Sequence, residues 1–308
     1  MLKNTFILSV IALAVAAVPQ DASADIFRNI SDLQESEIFG QSSVFDPVGL
    51  LTGEDANGNS FIAGTGVLIH PEFVLTAGHV TFDEPNLPWE SLQFNPSADV
   101  GSNLMNFLDI NEVFVFPGFT GSEAGGGTGN DIALVRLSNP ILDITPAQLF
   151  MGNDNDLIGA EFITAGYGNP GIFGQPLGAF DGIRRGSRNI IESAGANFPQ
   201  VTVEDQFFVS DFDFLNVFDP LELEGQGSQN ASGQGWFVDV NGEYQIAGIV
   251  NGGLSNDLNT FGIRTALYND FINETIENNS TTSVPEPGTM GLLTIGMIGA
   301  ALKRRRKV

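Results

Sequence analysis

The residue of this chain that most clearly suggests chemistry is a histidine placed directly after a short apolar strand. The chain has only two histidines, His70 and His79, and His79 follows the small residues Thr76-Ala77-Gly78, which leave room around an imidazole. An imidazole changes its protonation state near neutral pH and can act as a general base. The segment Gly64–Val80 therefore suggests a catalytic histidine; the alternative that it leaves open is a hydrogen-bonded histidine at a strand end.

The element that carries His79 is predicted to be a β-hairpin. Val67–Ile69 and Phe73–Leu75 are too short for helices, are rich in β-favouring residues and flank a His-Pro-Glu turn. Thirty-seven glycines and fifteen prolines, without a long amphipathic run, favour an all-β chain of short strands and many turns. The exception is residues 266–277, where apolar residues recur at helical spacing and predict one C-terminal helix.

Two later segments supply a carboxylate and a hydroxyl. Asp131 opens the apolar run Ile132–Leu137, and Ser232 lies in a polar, Gly-rich loop before a hairpin signal at Asn241-Gly242. Together with Leu75-Thr76-Ala77-Gly78-His79-Val80, they resemble the histidine, aspartate and serine motifs of the trypsin-like (chymotrypsin-fold) serine proteases, in that family's order. The resemblance spans roughly residues 50–277.

The resemblance implies that His79, Asp131 and Ser232 are the catalytic residues. A serine hydroxyl is a weak nucleophile, so His79 would take its proton and Asp131 would hold the other imidazole nitrogen. The backbone N–H groups of Asn230 and Ser232 would form the oxyanion hole, worth about 3 kcal/mol per donor. Ser228 is the rival nucleophile nearby, and its distance from Gly248 fits the family spacing less well.

The resemblance also assigns substrate-binding positions. Gln226, six residues before Ser232, falls where the family has the base of its primary specificity pocket. A neutral amide there argues against a requirement for Lys or Arg in the substrate. Asn251 and Gly253 fall where the family binds the substrate backbone, so the expected partner is a polypeptide in an extended conformation.

The serine motif departs from the family pattern, which is Gly-Asp-Ser-Gly-Gly-Pro. This chain has Asn230-Ala231-Ser232-Gly233-Gln234-Gly235. The departures at Ala231 and Gln234 motivate an alternative, a catalytically impaired pseudoprotease that acts as a surface-displayed binding module. A third hypothesis is a structural protein of the extracellular matrix.

The implied fold is all-β, with two six-stranded antiparallel β-barrels of the chymotrypsin type and a C-terminal helix. The barrels are expected at about residues 49–150 and 155–265, with the helix at 266–277 completing a protease domain over 49–277. Residues 25–48 form a polar, irregular N-terminal segment, and residues 278–284 form a linker. We expect a monomer.

Composition narrows the choice of partners. Between residues 25 and 283 there are six arginines, no lysine and 35 Asp plus Glu, a formal charge of −29. Such a surface makes nucleic acid and anionic lipid unsuitable partners. The chain has no cysteine, so neither disulfides nor thiolate metal sites can form. The acidic stretch Asn153–Asp156 lacks the spacing of a calcium loop, which predicts a solvated turn and no metal or cofactor.

The one basic cluster of the body is Arg184, Arg185 and Arg188. Three neighbouring arginines could clamp an acidic substrate, or they could lie in a solvated turn. The sequence favours the solvated turn.

The N-terminus has the pattern of a secretory signal peptide over residues 1–24. Lys3 precedes an apolar run from Phe6 to Val18, and Ala22-Ser23-Ala24 forms an A-x-A cleavage site. Signal peptidase is therefore an expected processing partner, and the mature chain is expected to begin at Asp25.

The C-terminus, residues 285–308, carries a second sorting pattern. Pro285-Glu286-Pro287 is followed by a short apolar stretch, Met290–Leu302, and a basic cluster, Lys303-Arg304-Arg305-Arg306-Lys307. The three features in this order resemble the PEP-CTERM sorting signal. That resemblance implies transient membrane association, cleavage by an exosortase, and a secreted or cell-surface protein of a Gram-negative bacterium or cyanobacterium. A plain C-terminal membrane anchor is the alternative.

Overall fold

The computed structural model describes residues 25–84, 87–119, 129–195, 206–213, 221–227, 230–254 and 259–281. The predicted signal peptide and sorting segment lie outside these residues. Among the described residues, no helix is long and apolar enough to cross a lipid bilayer.

Strands make up most of the described chain. In the first half they are β1 (Asp25–Phe27), β2 (Val48–Glu54), β3 (Ser60–His70), β4 (Phe73–Thr76), β5 (Phe82–Glu84), β6 (Leu87–Pro88), β7 (Ser91–Asn95), β8 (Leu108–Val115) and β9 (Ala133–Leu137). In the second half they are β10 (Gln148–Leu149), β11 (Glu161–Gly166), β12 (Pro170–Ile172), β13 (Arg185–Ile190), β14 (Ser193–Ala194), β15 (Phe207–Ser210), β16 (Gly235–Val240), β17 (Glu243–Leu254) and β18 (Asn259–Arg264). The two α-helices are α1 (Ile30–Gly40) and α2 (Asn269–Asn279).

The first barrel closes completely. Its six strands follow the order β2-β3-β4-β9-β8-β7, and β7 pairs back onto β2. All four residues of β4 are buried, because this strand is packed between its neighbours and the barrel interior. The predicted hairpin of β3 and β4 is confirmed, with Leu68 opposite Val74 and a turn at Pro71-Glu72.

The second half forms a curled sheet of eight strands. The order is β13-β11-β16-β17-β18-β15-β14, and β10 pairs in parallel with β17. The two edge strands, β13 and β14, are separated in the chain only by Ile191 and Glu192. The Ile191 N–H donates to Ala160 O (3.0 Å) on one side of the sheet, and the Glu192 N–H donates to Val209 O (2.8 Å) on the other. The chain itself therefore joins the two edges.

The predicted fold class is confirmed as mostly β, with two barrel-like halves and a C-terminal helix. One detail differs, because the second half is an open ladder closed by a chain bend rather than a complete six-stranded barrel. The predicted Asn241-Gly242 turn is also confirmed: both residues have positive φ, 58° and 89°, as a type I′ turn requires.

The C-terminal helix begins slightly later than predicted. A 3-10 turn, Thr265–Tyr268, leads into α2, which ends at Asn279. Ile272 is fully buried, so the helix packs one apolar face on the body. Its end is tied to the first barrel, because the Thr281 hydroxyl donates to Glu72 Oε1 (2.6 Å).

The prediction that residues 25–48 are irregular is wrong. They contain α1, whose N-cap is Asn29, and the Asn29 side chain accepts hydrogen bonds from the N–H groups of Ser31 (2.8 Å) and Asp32 (3.1 Å). The helix was missed because it lacks an apolar stripe; Ile38 is 75% exposed. It lies close against β13, and a methyl group at Gly40 would be 2.4 Å from Arg184 O.

The prediction of a solvated basic turn is also wrong, because Arg184 and Arg185 are buried. Arg184 is 2% exposed, and its Nε and Nη1 donate to Gly40 O (2.8 Å) and Val48 O (2.7 Å). Arg185 pairs with Glu37 of α1 (2.7 Å). The two arginines fasten the N-terminal segment to both halves of the body.

The prediction of a solvated acidic turn holds for three residues of the stretch 153–156 and is wrong for Asp154. Asn153, Asn155 and Asp156 are exposed, whereas Asp154 is 5% exposed and accepts two hydrogen bonds from Arg264, from Nε (2.9 Å) and Nη2 (2.6 Å). A buried carboxylate requires such a partner. Asp154 therefore holds the end of β18.

Arg184 gives a stability prediction. Arg184→Met should lower the free energy of unfolding by about 3 kcal/mol, because two buried carbonyls lose their charged donor. Urea denaturation of the exported protein measures the loss. Arg188→Met is the matched control, since Arg188 lies nearby on β13 but is 35% exposed in an ion pair with Glu161. It should cost about 1 kcal/mol or less. Equal losses in the two variants would contradict the role of Arg184.

Candidate active site

His79 is presented by a tight turn at the end of β4. The 3-10 turn Gly78–Thr81 follows the strand, and the Thr81 hydroxyl donates to Gly78 O (2.7 Å). The His79 backbone N–H donates to Asp131 Oδ1 (2.7 Å), and its ring Nδ1 lies 2.6 Å from Asp131 Oδ2. A Cβ at position 78 would lie 2.9 Å from Asp131 Oδ1, so the glycine permits this close approach.

Asp131 is a buried carboxylate with three polar contacts. It lies two residues before β9 and is 2% exposed. Besides both contacts with His79, Asp131 Oδ2 accepts a hydrogen bond from the side-chain amide of Asn251. Burial of the imidazole disfavours its charge, but the charge of Asp131 and its hydrogen bond outweigh burial and raise the pKa of His79 above 6.5.

Ser232 lies in the loop before β16 and is anchored to the first barrel. Its carbonyl accepts from the Thr65 N–H (2.8 Å) of β3, and the Gly233 N–H donates to Val250 O (2.8 Å). The Ser232 hydroxyl donates to Asn251 O at 3.4 Å rather than to the His79 ring. The loop thus brings Ser232 to the junction of the two halves.

Gly233 explains how closely this loop can dock. Its φ is +89°, and a Cβ there would lie 1.8 Å from Thr65 O. A side chain at this position would push the serine loop away from β3.

Asn251 connects the three predicted catalytic residues. Its side chain donates to Asp131, and its carbonyl accepts from the Ser232 hydroxyl. The sequence suggested a substrate-binding position and gave no signal for the contact with Asp131, because the two residues are 120 positions apart and Asn251 lies at an irregularity in the pairing of β17 with β18. The substrate-binding role of Asn251 stays a prediction.

Asn230 adopts a left-handed backbone conformation, which is most common for glycine. Its φ is 70°, which asparagine adopts more readily than most residues. Its side chain donates to Asn169 Oδ1 (3.1 Å), which ties the serine loop to the turn before β12. Within the described part of the chain, the N–H groups of Asn230 and Ser232 have no hydrogen-bond acceptor.

Two of the departures in the serine motif, Ala231 and Gln234, are buried within the second half. Ala231 is 0% exposed and belongs to an apolar cluster with Phe208 and Trp236. Gln234 is 1% exposed and turns toward β11, where a Cβ at Gly166 would lie 2.3 Å from its Nε2.

Gln226 is buried beside the N-terminal strand. Its backbone N–H and C=O pair with Ile26 at 3.2 and 3.1 Å, so β1 supports the segment that leads to Ser232. Its Nε2 faces Asn259 O (3.5 Å), and its buried Oε1 has no hydrogen-bond partner among the residues that the structure describes. Gly253 packs against the same carbonyl, where a Cβ would be 2.8 Å from Asn259 O. The roles of Gln226 and Gly253 in substrate binding stay predictions.

Two barrel-like β halves, with a His–Asp pair on one half and a serine loop from the other at their junction, define the chymotrypsin-type fold. Comparison with known families gives the same class. Residues 52–204 match the family model described as Trypsin, and residues 283–307 match the PEP-CTERM protein-sorting motif. The chain therefore carries a trypsin-family serine protease domain followed by a sorting signal for export.

The extent of the family match agrees with the sequence departures. The matched residues include His79 and Asp131, whereas Ser232 with its unusual neighbours lies beyond them. A solved structure entitled "Structure of GrC" is similar, with a TM-score of 0.56 and 16% identity over 76% of this chain and 96% of that chain. This likeness concerns the fold. No match is found among curated proteins.

The trypsin family requires no cofactor. Within the described ranges, no group of three or more His, Asp or Glu side chains could hold a metal ion.

The raised pKa of His79 gives a direct test of the His79–Asp131 contact. Asp131→Asn removes the charge that raises the pKa and leaves the burial that lowers it, so His79 should titrate at lower pH than in the wild type. Proton NMR resolves this readily, because the chain has only two imidazoles and His70 is an internal reference. Asp239→Asn, at an exposed hairpin position, should leave the titration of His79 unchanged.

The same shift predicts how stability depends on pH. Folding raises the pKa of His79, so its protonated form stabilises the fold below pH 6.5, and this contribution is lost as the pH rises through the raised pKa. Urea midpoints measured between pH 6 and pH 9 should fall more steeply for the wild type than for Asp131→Asn. Parallel curves would argue against the contact.

Proposed function

We propose that the chain is a secreted serine endopeptidase that hydrolyses peptide bonds through an acyl-enzyme intermediate. The observation that carries this proposal is the buried His79–Asp131 pair, which Asn251 links to the Ser232 hydroxyl at the junction of the two halves. Ser232 is the nucleophile, His79 the general base and Asp131 the residue that orients the imidazole.

The first chemical step transfers one proton and forms one bond. Ser232 Oγ attacks the scissile carbonyl carbon while His79 Nε2 takes the hydroxyl proton. Before that step the hydroxyl must leave Asn251 O, which it meets at the long distance of 3.4 Å, and turn to His79. The imidazolium that forms is stabilised by Asp131, and its proton then goes to the leaving amine.

A negative charge develops on the carbonyl oxygen. We assign its stabilisation to the N–H groups of Asn230 and Ser232. Each such donor contributes about 3 kcal/mol to transition-state stabilisation when it is held in place beforehand. The positive φ of Asn230 and its side-chain bond to Asn169 support a fixed loop.

Two positions that motivated the non-catalytic alternative are compatible with a protease. Ala231 fills an apolar cluster and Gln234 turns toward β11, so both side chains are accommodated by packing within the second half. The neutral side chain of Gln226 supports a preference for substrates other than those with Lys or Arg at the cleaved bond.

The termini support an activity outside the cell. The sorting motif over residues 283–307 implies export, and the signal-peptide pattern before Asp25 agrees with it. We assign signal peptidase and an exosortase as the processing enzymes, and a polypeptide as the substrate.

The test uses a fluorophosphonate probe, which forms a covalent bond only with an activated serine. The exported protein should label at Ser232 at pH 8 and cleave casein, and Ser232→Ala should abolish both. Asp131→Asn should lower the rate on the order of 10⁴-fold. Ser228→Ala is the matched control and should label like the wild type.

Absence of labelling in folded wild-type protein would overturn the endopeptidase assignment and favour the binding module. Labelling that survives Ser232→Ala but is lost in Ser228→Ala would move the nucleophile to the rival serine.

A further inference from the structure

Behind Asp131, three polar side chains from distant parts of the chain meet. Gln206 Oε1 accepts hydrogen bonds from the Asn130 backbone N–H (2.8 Å) and from the Tyr268 hydroxyl (2.9 Å). Asn130 Oδ1 lies 3.5 Å from both Gln206 Nε2 and the Tyr268 hydroxyl. Asn130 directly precedes Asp131, so this cluster borders the backbone that delivers the carboxylate to His79.

The backbone at Asn130 needs such support. Its φ is 65°, a left-handed conformation that is strained for a non-glycine residue. Its carbonyl accepts from the Ile132 N–H (2.9 Å), and its own N–H is held by Gln206. Hydrogen bonds therefore hold the backbone on both sides of Asn130. This sets the direction in which the chain continues to Asp131.

Tyr268 holds the Gln206 amide in the orientation that the Asn130 N–H requires. An amide can present either oxygen or nitrogen, and only the oxygen can accept from the Asn130 N–H. The Tyr268 hydroxyl donates to the same oxygen and keeps it directed at Asn130. The backbone of Gln206 is itself fixed, because its carbonyl accepts from the Arg264 N–H (2.9 Å) of β18.

The Tyr268 ring is rigidly packed. It is 3% exposed and meets Phe116 edge to face, with the ring centroids 4.8 Å apart. Phe116 in turn donates its N–H to Ile132 O (3.0 Å). Burial, with a smaller effect of the Asp131 charge, raises the pKa of Tyr268 to about 12, so the hydroxyl remains a donor at neutral pH.

We propose that Tyr268, acting through Gln206 and the backbone of Asn130, is a positioning residue that holds Asp131 against His79. The C-terminal turn Thr265–Tyr268 thereby becomes part of the support of the active site. The structural role depends only on the contacts above, whereas its effect on turnover rests on the proposed protease function.

The variant that tests the proposal is Tyr268→Phe, which keeps the ring and removes the hydroxyl. Loosening Asp131 weakens its effect on the pKa of His79, and Asp131 is the only charged group of the described residues that raises this pKa. Proton NMR of the exported protein should therefore show His79 titrating at lower pH, with His70 unchanged. The kcat should fall about tenfold with little change in KM, because substrate binding does not use Asp131.

Tyr244→Phe is the matched control, since Tyr244 is 39% exposed on the β16–β17 hairpin; it should change neither the titration nor kcat. Gln206→Ala should lower the pH at which His79 titrates, as Tyr268→Phe does. The double variant should titrate at nearly the same pH as Gln206→Ala alone, because both substitutions remove the same support of Asp131. Equal and additive effects of the two substitutions would overturn the relay through Gln206.

The outcomes separate the two proposals. Wild-type protein that neither labels nor cleaves would overturn the protease function, while the His79 titration would still report on the position of Asp131. Active wild-type protein in which Tyr268→Phe titrates and turns over like Tyr244→Phe would overturn the positioning role alone.

Discussion

The structure depends on the burial of one carboxylate. A charge as poorly exposed as that of Asp131 is costly unless several donors surround it. Two of these donors come from His79 and one from Asn251, so the first barrel and the second sheet must both be in place before the charge is compensated. The same carboxylate orients the imidazole and raises its pKa, which links the stability of the fold to the chemistry of the site.

The junction between the two halves is held by backbone contacts on either side of this carboxylate. Ser232 reaches the first barrel through Thr65 of β3, and Gly233 must lack a side chain for that contact to form. The N-terminal segment adds a further connection, because β1 pairs with Gln226 and Arg184 holds the end of α1. Residues 25–47 are therefore an integral part of the folded body.

Much of the site was predictable because its residues lie in short, characteristic segments. His79 follows an apolar strand and small residues, and Asp131 opens another strand; the structure brings these two side chains within hydrogen-bonding distance. The sequence could not predict Asn251 or Tyr268 as neighbours of Asp131. These contacts arise from strand pairing and helix packing between segments more than a hundred residues apart. A local sequence pattern carries no information about such contacts.

The sequence by itself determined the β architecture, the order of the histidine, aspartate and serine segments, and the export signals, because each is encoded by local periodicity or by contiguous motifs. Only the tertiary structure decided which polar residues outside those motifs are buried. Arg184 and Asp154 looked solvated in sequence, since charged side chains usually are. Folding buries both, because carbonyls and an opposite charge from distant segments compensate the lost water.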